Sequence, residues 1–261
     1  MIKSNIEWTN ATQNFWMGCH KVSAGCKYCY MHRILDGDQG KGNGDRIRRT
    51  SDANFYQPLS WKEGKWIFTC SMSDFFLEEA DKWRADAWRV IKGTPQHKWL
   101  ILTKRPERIL KCLPDDWEEG YPNVALGVSV ENQAAFERVK ILSKIPAKVR
   151  FISAEPLLED VDLLLTDDMD ERYIDKFRWV IIGGESGNET GPHRYRPCKI
   201  SWISRMVKDL KSTGRIAVFV KQLGTYQAKT NGLRNTHGAN ISEFPPELRI
   251  REFPTKNKRM A

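Results

Sequence analysis

The sequence predicts an α/β fold, a full or partial (β/α) barrel with a parallel sheet. Short continuous apolar runs recur along the chain, and such runs are typical of strands that are buried on both faces of a parallel sheet. Amphipathic helix patterns alternate with these runs. Nearly every run ends in Ser, Thr, Lys, Arg, Glu or Gly. In a parallel barrel these ends form the rim that carries active sites.

The predicted strands and helices alternate along the chain. The first predicted strand, residues 6–9, leads into a loop with three cysteines. Later runs rich in Val, Ile, Leu, Phe and Trp predict the other strands, at residues 65–70, 99–102, 124–128, 149–152, 179–182 and 216–220. Helix patterns with one apolar side fall at residues 79–91, 106–112, 132–143 and 201–211. From residue 229 onward the chain is polar and contains prolines, which predicts a covering extension of one domain spanning 1–261.

The composition favours a soluble, cytoplasmic protein. No apolar run is long enough for a membrane helix, and the first residues lack the apolar stretch of a signal peptide. Six cysteines, three of them clustered, do not resemble the disulfide framework of a secreted domain. The net charge of +9 favours a polyanionic partner. The basic runs at 46–49 and 256–259 are, however, more typical of solvated surface.

Cys19, Cys26 and Cys29 lie in one short loop with the spacing C-x6-C-x2-C, and they predict a metal or iron–sulfur site. Thiolates are soft ligands, and a short loop can direct all three sulfurs to one centre. A structural zinc ion would need a fourth ligand. The candidates are His20, His32 and Cys70. A three-cysteine [4Fe–4S] cluster would leave one iron open, and the position at the rim favours this cluster, with zinc as the alternative.

Nine short segments spread over nearly the whole chain carry a family resemblance: IEWT at 6–9, GC at 18–19, SAGCKYCY at 23–30, SMSD at 71–74, LTKRP at 102–106, GVSVE at 127–131, FISAEPLL at 151–158, GGESG at 183–187 and VKQ at 220–222. In these segments the chain resembles the three-Cys-motif family of phages and bacteria, whose function is largely unknown. That family is similar to the radical S-adenosylmethionine (SAM) enzymes and, distantly, to spore photoproduct lyase. The resemblance implies a parallel barrel of the radical SAM type, with the cluster loop after the first strand.

In radical SAM enzymes three cysteines hold a [4Fe–4S] cluster, and SAM binds its open iron. Reduction then cleaves SAM to methionine and a 5′-deoxyadenosyl radical, which abstracts hydrogen from a substrate. The resemblance implies that Cys19, Cys26 and Cys29 hold the cluster, although the first gap of this chain is six residues instead of the superfamily's three. It also implies an electron donor such as flavodoxin or ferredoxin.

The resemblance further assigns roles at the strand ends. Tyr28 matches the aromatic residue beside the adenine, and Ser129 is placed for the ribose hydroxyls. Lys104 matches the lysine that meets the SAM carboxylate, since an ammonium suits a carboxylate. The segment for the SAM amino group holds Ser71, Ser73 and Asp74. Simpler interpretations remain: the serines cap the next helix, and Lys104 or Arg105 pairs with Glu107 at the surface.

Three further residues are candidates for catalysis. Glu155 and Glu185 could bind SAM or substrate, and Cys70 lies near the position of a hydrogen-donating cysteine in the lyase. The alternatives are a salt bridge for Glu155, a tight turn for the glycines before Glu185, and a buried structural thiol for Cys70. Residues 193–196 are either substrate contacts or a solvent-facing loop.

We therefore expect a radical SAM enzyme with an unidentified substrate, in which charge and the lyase resemblance favour nucleic acid or a nucleotide. Two alternatives are a nucleic-acid-binding protein with a structural zinc, and a phage or defence interaction protein that kept the fold without the chemistry.

Overall fold

A computed structural model describes residues 4, 6–36, 42–191 and 194–254. His193 and the basic run 256–259 lie outside the described residues. The strands are β1 Ala11–Gln13, β2 Trp16–Met17, β3 Arg48–Arg49, β4 Trp66–Thr69, β5 Lys98–Thr103, β6 Val124–Ser129, β7 Val149–Ala154, β8 Trp179–Gly183 and β9 Ala217–Gln222. The α-helices are α1 Tyr30–Asp36, α2 Asp52–Phe55, α3 Asp81–Lys92, α4 Ile109–Cys112, α5 Glu137–Ser143, α6 Ile200–Ser212 and α7 Thr225–Thr230.

Short 3-10 helices occupy several connections. They are Ala24–Cys26, Asn43–Asp45, Gln57–Ser60, Glu78–Ala80, Pro106–Arg108, Gln133–Phe136, Tyr173–Lys176, Ile241–Glu243 and Pro246–Leu248. The chain divides into two compact units. Unit 1 holds Met1–Val128 with Lys144–Val149, and unit 2 holds Ser129–Ser143 with Arg150–Ala261. The expectation of a single domain with an extension from residue 229 stays a prediction.

Unit 1 carries parallel strands in the order β1-β4-β5-β6. A separate antiparallel pair joins β2 to β3. The core beneath these strands is aromatic, and the ring of Phe15 lies 4.8 Å from that of Phe55 and 5.8 Å from that of Trp99. Fully buried aromatic side chains contribute the largest apolar areas to a core. The aromatic core of unit 1 therefore holds the segment that precedes the cysteine loop in place.

Unit 2 carries parallel strands in the order β7-β8-β9. Trp179 on β8 packs against Phe219 on β9 at 6.1 Å and against Phe253 at 5.5 Å. The last described segment adds an antiparallel bridge from Arg251 to Phe219. Phe244 and Leu248 are buried, so this segment contributes apolar side chains to the core of unit 2.

The sequence-based fold class is confirmed at the level of a mixed α/β fold with parallel strands. Among the described residues seven strands are parallel and succeed one another in chain order, which is compatible with a partial (β/α) barrel. No helix among the described residues is long and apolar enough to cross a membrane.

The position of the first strand was predicted wrongly. Residues 6–9 form a turn in which the Thr9 amide donates to the Ile6 carbonyl, and the strand lies at β1, residues 11–13. The Thr9 hydroxyl lies within hydrogen-bond distance of the backbone oxygens of Ala11 and Trp66, at 2.6 and 2.8 Å, which ends the turn against β4. The sequence of β1 lacks the apolar run that would predict a strand, and β1 forms through its pairing with β4.

Candidate functional site

The cysteine loop begins at Gly18 and is held from two sides at its start. The Gly18 amide donates to Met72 O at 3.0 Å, and the Ser73 hydroxyl donates to Gly18 O at 2.5 Å. On the other side the Cys19 amide donates to Gly44 O at 2.8 Å. Gly18 has φ +89°, and a Cβ there would lie 2.4 Å from Arg46 O. Only glycine fits this close passage without strain.

The second and third cysteines lie on consecutive turns. Cys26 ends the 3-10 helix Ala24–Cys26, and the Cys29 amide donates to Cys26 O at 3.4 Å. α1 starts at the next residue, and the Arg33 amide donates to Cys29 O. Cys19, Cys26 and Cys29 are all half-buried free thiols. A loop with backbone ties at both ends therefore carries all three sulfurs.

The thiols differ in their electrostatic surroundings. Burial and the negative charge of Asp74 raise the pKa of Cys19 to about 12, although Arg105 opposes them. Burial alone would raise the pKa of Cys26, but the nearby Lys104 ammonium and hydrogen bonds from the backbone at Val22 and Ser23 outweigh it and lower that pKa. A cation beside a thiolate stabilises it. Cys26 is therefore the more easily ionised of these two.

Arg105 connects the loop to the strand ends of unit 1. Its guanidinium donates to His20 O at 2.8 Å, to the Asp74 carboxylate at 3.2 Å and to Cys19 Sγ at 3.7 Å. Arg105 and Asp74 are both buried. A buried charge pair needs this full set of partners, since an uncompensated charge in the interior costs several kcal/mol, about 3–5. The alternative in which Arg105 pairs with Glu107 at the surface is wrong.

Asp74, predicted to bind the SAM amino group, braces two strand ends. One oxygen accepts from the Thr103 hydroxyl at 2.7 Å and from the Phe76 amide at 3.0 Å. The other accepts from the Lys104 amide at 3.0 Å in addition to Arg105. The carboxylate thus fixes the position of Lys104 through its backbone. Its predicted contact with SAM stays a prediction.

The other candidates after β4 lie close to the loop. Ser71 O accepts from the Tyr30 hydroxyl at 2.5 Å, and Ser71 Oγ accepts from Asn14 at 3.2 Å. Tyr28 has the Lys27 ammonium 5.3 Å from its ring centre. Cys70 is buried with φ +59°, and burial raises the pKa of its thiol. These surroundings favour a structural thiol, and its catalytic role stays a prediction.

Unit 2 has its own polar groups at the carboxyl ends of its strands. Glu155 follows β7, and its carboxylate lies 2.9 Å from the Lys221 ammonium at the end of β9 and 3.3 Å from the Ser153 hydroxyl. Gly183 ends β8 between them, where a Cβ would approach Glu155 Oε1 to 2.6 Å. The absence of a side chain at Gly183 leaves the space that Glu155 occupies.

Glu185 binds Arg196 with both carboxylate oxygens. One oxygen accepts from the Arg196 amide and Nε at 2.9 and 2.8 Å, and the other from Nη2 at 2.5 Å. Gly184 passes so close to Leu223 O that a Cβ would lie 2.3 Å from it. The structure thus gives Gly184 a close approach of two backbones, and the tight-turn interpretation of these glycines stays a prediction. Bidentate pairs of this kind are geometrically specific.

Ser129, the candidate for the ribose hydroxyls, is the last residue of β6 and is buried. Its carbonyl accepts from Arg138 at 2.8 Å, and Arg138 also binds the fully buried Glu131 at 2.8 Å. Arg138 and the buried Glu131 together hold the end of β6.

The cysteine loop offers three thiols as possible metal ligands. Three thiols suit zinc or an iron–sulfur cluster by their softness. The proposed fourth zinc ligands have other neighbours: His20 lies 2.7 Å from Glu79, His32 lies 3.4 Å from Asp36, and Cys70 is buried. Within the described ranges no group of three or more His, Cys, Asp or Glu side chains is gathered as for a metal ion. Within the same ranges Cys19, Cys26 and Cys29 do not form such a group either, and the choice between an iron–sulfur cluster and zinc stays a prediction.

Two residues of these sites, Arg105 and Lys221, escaped prediction as functional residues. Both carry a detectable signal, since each is a cation close behind an apolar run. Arg196 was named only as part of the segment 193–196, as a substrate contact or a solvent-facing residue, and its contact with Glu185 is recognised only from the fold.

Comparisons with known proteins identify a family without an assigned function. The family model described as "Protein of unknown function (DUF5131)" matches residues 3–255, and the chain belongs to this family. No curated protein and no solved structure matched the chain.

Proposed function

We propose that this member of the DUF5131 family is a radical SAM enzyme. In this proposal Cys19, Cys26 and Cys29 hold a [4Fe–4S] cluster. The enzyme cleaves SAM reductively and acts on an unidentified substrate, for which nucleic acid or a nucleotide is favoured. The observation that supports it most is the cysteine loop, which carries three thiols and is tied at Gly18 to the segment after β4.

When bound, the cluster supplies the electron that cleaves SAM into methionine and a 5′-deoxyadenosyl radical. The chain's own residues would bind and orient SAM. Lys104 is a cation near Cys26 and would bind the SAM carboxylate, because opposite charges attract most strongly where water is partly excluded. Asp74 holds the Lys104 backbone in place. Tyr28, beside Cys29, would contact the adenine.

The remaining roles are part of the same proposal. Ser71 and Ser73 would line the cofactor site, and Ser129 would contact the ribose. Glu155 and Glu185 would contact SAM or substrate, and Cys70 would be a hydrogen donor only if it became accessible. The electron would come from a flavodoxin- or ferredoxin-like donor.

Anaerobic reconstitution with iron and sulfide tests the proposal. We expect a brown protein with about four irons per chain, which releases 5′-deoxyadenosine from SAM under dithionite. Cys29→Ser should abolish both results. Cys112→Ser is the matched control, because Cys112 is a buried thiol on α4 outside the loop. A colourless protein with one zinc per chain would contradict the proposal.

A zinc-containing nucleic-acid-binding protein is the second candidate. It is supported by the net charge of +9 and by the cations around the cysteine loop. It predicts binding to nucleic acid together with one zinc and no reaction with SAM.

A further inference from the structure

The helix that follows the cysteines presents a mixed apolar and basic face. α1 buries Met31 and His32. Tyr30 and Ile34 are exposed by 40% and 59%, respectively, and they lie four residues apart, on one face of the helix. Arg33, three residues after Tyr30, lies on the same side and is half-buried. The side of α1 turned away from the core therefore combines an aromatic ring, an aliphatic side chain and a cation.

More cations surround this face. Lys21 and Lys27 are exposed on the cysteine loop, and Arg46 is exposed next to it. The loop is joined to residues 44–48 by the bond from the Cys19 amide to Gly44 O and by the pairing of Met17 with Arg48. Loop, helix and β3 thus form one continuous part of unit 1. We call it the basic loop surface, made of Lys21, Lys27, Tyr30, Arg33, Arg46 and Arg48.

The carboxylates of this region are engaged by other groups. Asp36 contacts His32 and accepts from the Gly44 amide at 2.5 Å, while Asp45 lies 3.8 Å from His20. Asp52 is bound to Arg49 at 2.6 Å. Within the described ranges none of the five cations of the basic loop surface forms an ion pair with a carboxylate, so these charges remain available to an anionic ligand.

We propose that the basic loop surface binds single-stranded nucleic acid. Unpaired Lys and Arg side chains neutralise phosphates, and exposed aromatic rings stack on bases, and this combination is typical of single-strand binding. In a duplex the bases are stacked inside, so the ring of Tyr30 could not reach them. That the bound nucleic acid is also the enzyme's substrate rests on the proposed function. The binding of single-stranded nucleic acid itself does not.

Fluorescence anisotropy with a labelled single strand of about 20 nucleotides tests this binding on the full chain. The variant Lys27→Gln/Arg33→Gln/Arg48→Gln removes three charges from the surface. The control Lys62→Gln/Lys111→Gln/Lys144→Gln removes three exposed charges elsewhere in unit 1. Each lost phosphate contact should reduce the slope of log K against log salt by about 0.7. We expect a reduction of about 2 in the first variant and little change in the control.

Variants at Tyr30 separate stacking from anchoring of the loop. The Tyr30 hydroxyl donates to Ser71 O, so Tyr30→Phe removes that bond and keeps the ring. Tyr30→Leu removes both. We expect Tyr30→Phe to bind like the natural protein and Tyr30→Leu to bind about tenfold more weakly, as for the loss of one stacked base.

Three results would overturn the inference. These are equal losses in the two triple variants, binding to a duplex as tight as to the single strand, and equally effective competition by polyglutamate, which would indicate an acidic protein partner. Iron content and 5′-deoxyadenosine release are measured on the same preparations. A protein that binds the strand without cleaving SAM refutes the proposed function alone, and one that cleaves SAM without binding refutes this inference alone.

Discussion

At the scale of single residues, the candidate sites depend on charges that are bound by specific partners. In unit 1 Arg105 joins Asp74 to the cysteine loop, and in unit 2 Lys221 joins Glu155. The Glu155 and Lys221 side chains are only 14% and 21% exposed. Pairs with so little exposure add little net stability, since the loss of hydration offsets their attraction. Stability alone therefore does not account for these pairs at the strand ends, and the binding roles of Asp74 and Glu155 stay part of the proposed function.

Gly183→Ala tests the space that Glu155 occupies. The new Cβ would force Glu155 away from Lys221, and we expect the free energy of unfolding to fall by about 1–3 kcal/mol. In the background Glu155→Ala the same substitution should cost at least about 1 kcal/mol less, because the clash is gone. Urea unfolding of the four proteins measures this cycle. Equal costs in both backgrounds would show that Glu155 is not the group displaced.

At the scale of elements, the strand ends and the cysteine loop are fastened to one another within unit 1. The turn after β4 supplies Met72 and Ser73 to Gly18, and the end of β5 supplies Arg105 to His20. The loop is therefore placed by backbone contacts near its start and by α1 at its end. The unusually long first cysteine gap, residues 20–25, lies between these two anchors.

Gly18→Ala tests this fastening. An alanine would have to adopt φ +89° and would meet the Arg46 carbonyl, a backbone atom that cannot move away cheaply. Gly42→Ala is the matched control, since Gly42 also has positive φ (+66°) but open space around a Cβ. We expect Gly18→Ala to lose about 1–3 kcal/mol more than Gly42→Ala. Hydrogen exchange should also rise at residues 17–19 and 44–46. Similar losses in the two variants would contradict a tight passage at Gly18.

At the scale of the whole molecule, the pH dependence of stability reports on a buried imidazole. His97 is fully buried, its Nε2 lies 3.2 Å from Pro58 O, and its Nδ1 has no partner within the described ranges. Burial lowers the pKa of His97 below its ordinary value, and Lys65 adds to this effect against the hydrogen bond to Pro58. The folded protein therefore favours the neutral ring.

Because the pKa of His97 is lowered in the folded protein, acid destabilises the fold. Neutral His97 contributes its full share to the free energy of unfolding above its ordinary pKa of 6.5. This share is lost as the pH falls through the folded-state pKa, because the unfolded chain binds the proton more readily. Between pH 7 and pH 5 we expect the unfolding free energy to fall by at most about 1.4 kcal/mol per pH unit from this residue. His97→Gln should reduce that fall, and His237→Gln, at an exposed position, should not. An unchanged pH profile in His97→Gln would refute this assignment.

The sequence alone was sufficient for the buried parallel strands β4 to β9. β4 to β9 were predicted because each is a continuous apolar run, a local pattern that needs no partner to be recognised. The cysteine loop was recognised from its spacing. Lys104 and Glu155 follow such runs, but their roles came from the family resemblance and stay predictions.

Only the tertiary structure decided which of these groups meet. β1 has no apolar run and exists through its pairing with β4, so residues 6–9 were taken for the strand. Arg105 binds Asp74, 31 residues away, and Lys221 binds Glu155, 66 residues away. Gly183 is needed because a neighbouring strand places Glu155 over it. Such contacts depend on how close distant segments come, and a linear pattern records composition and spacing but not that distance.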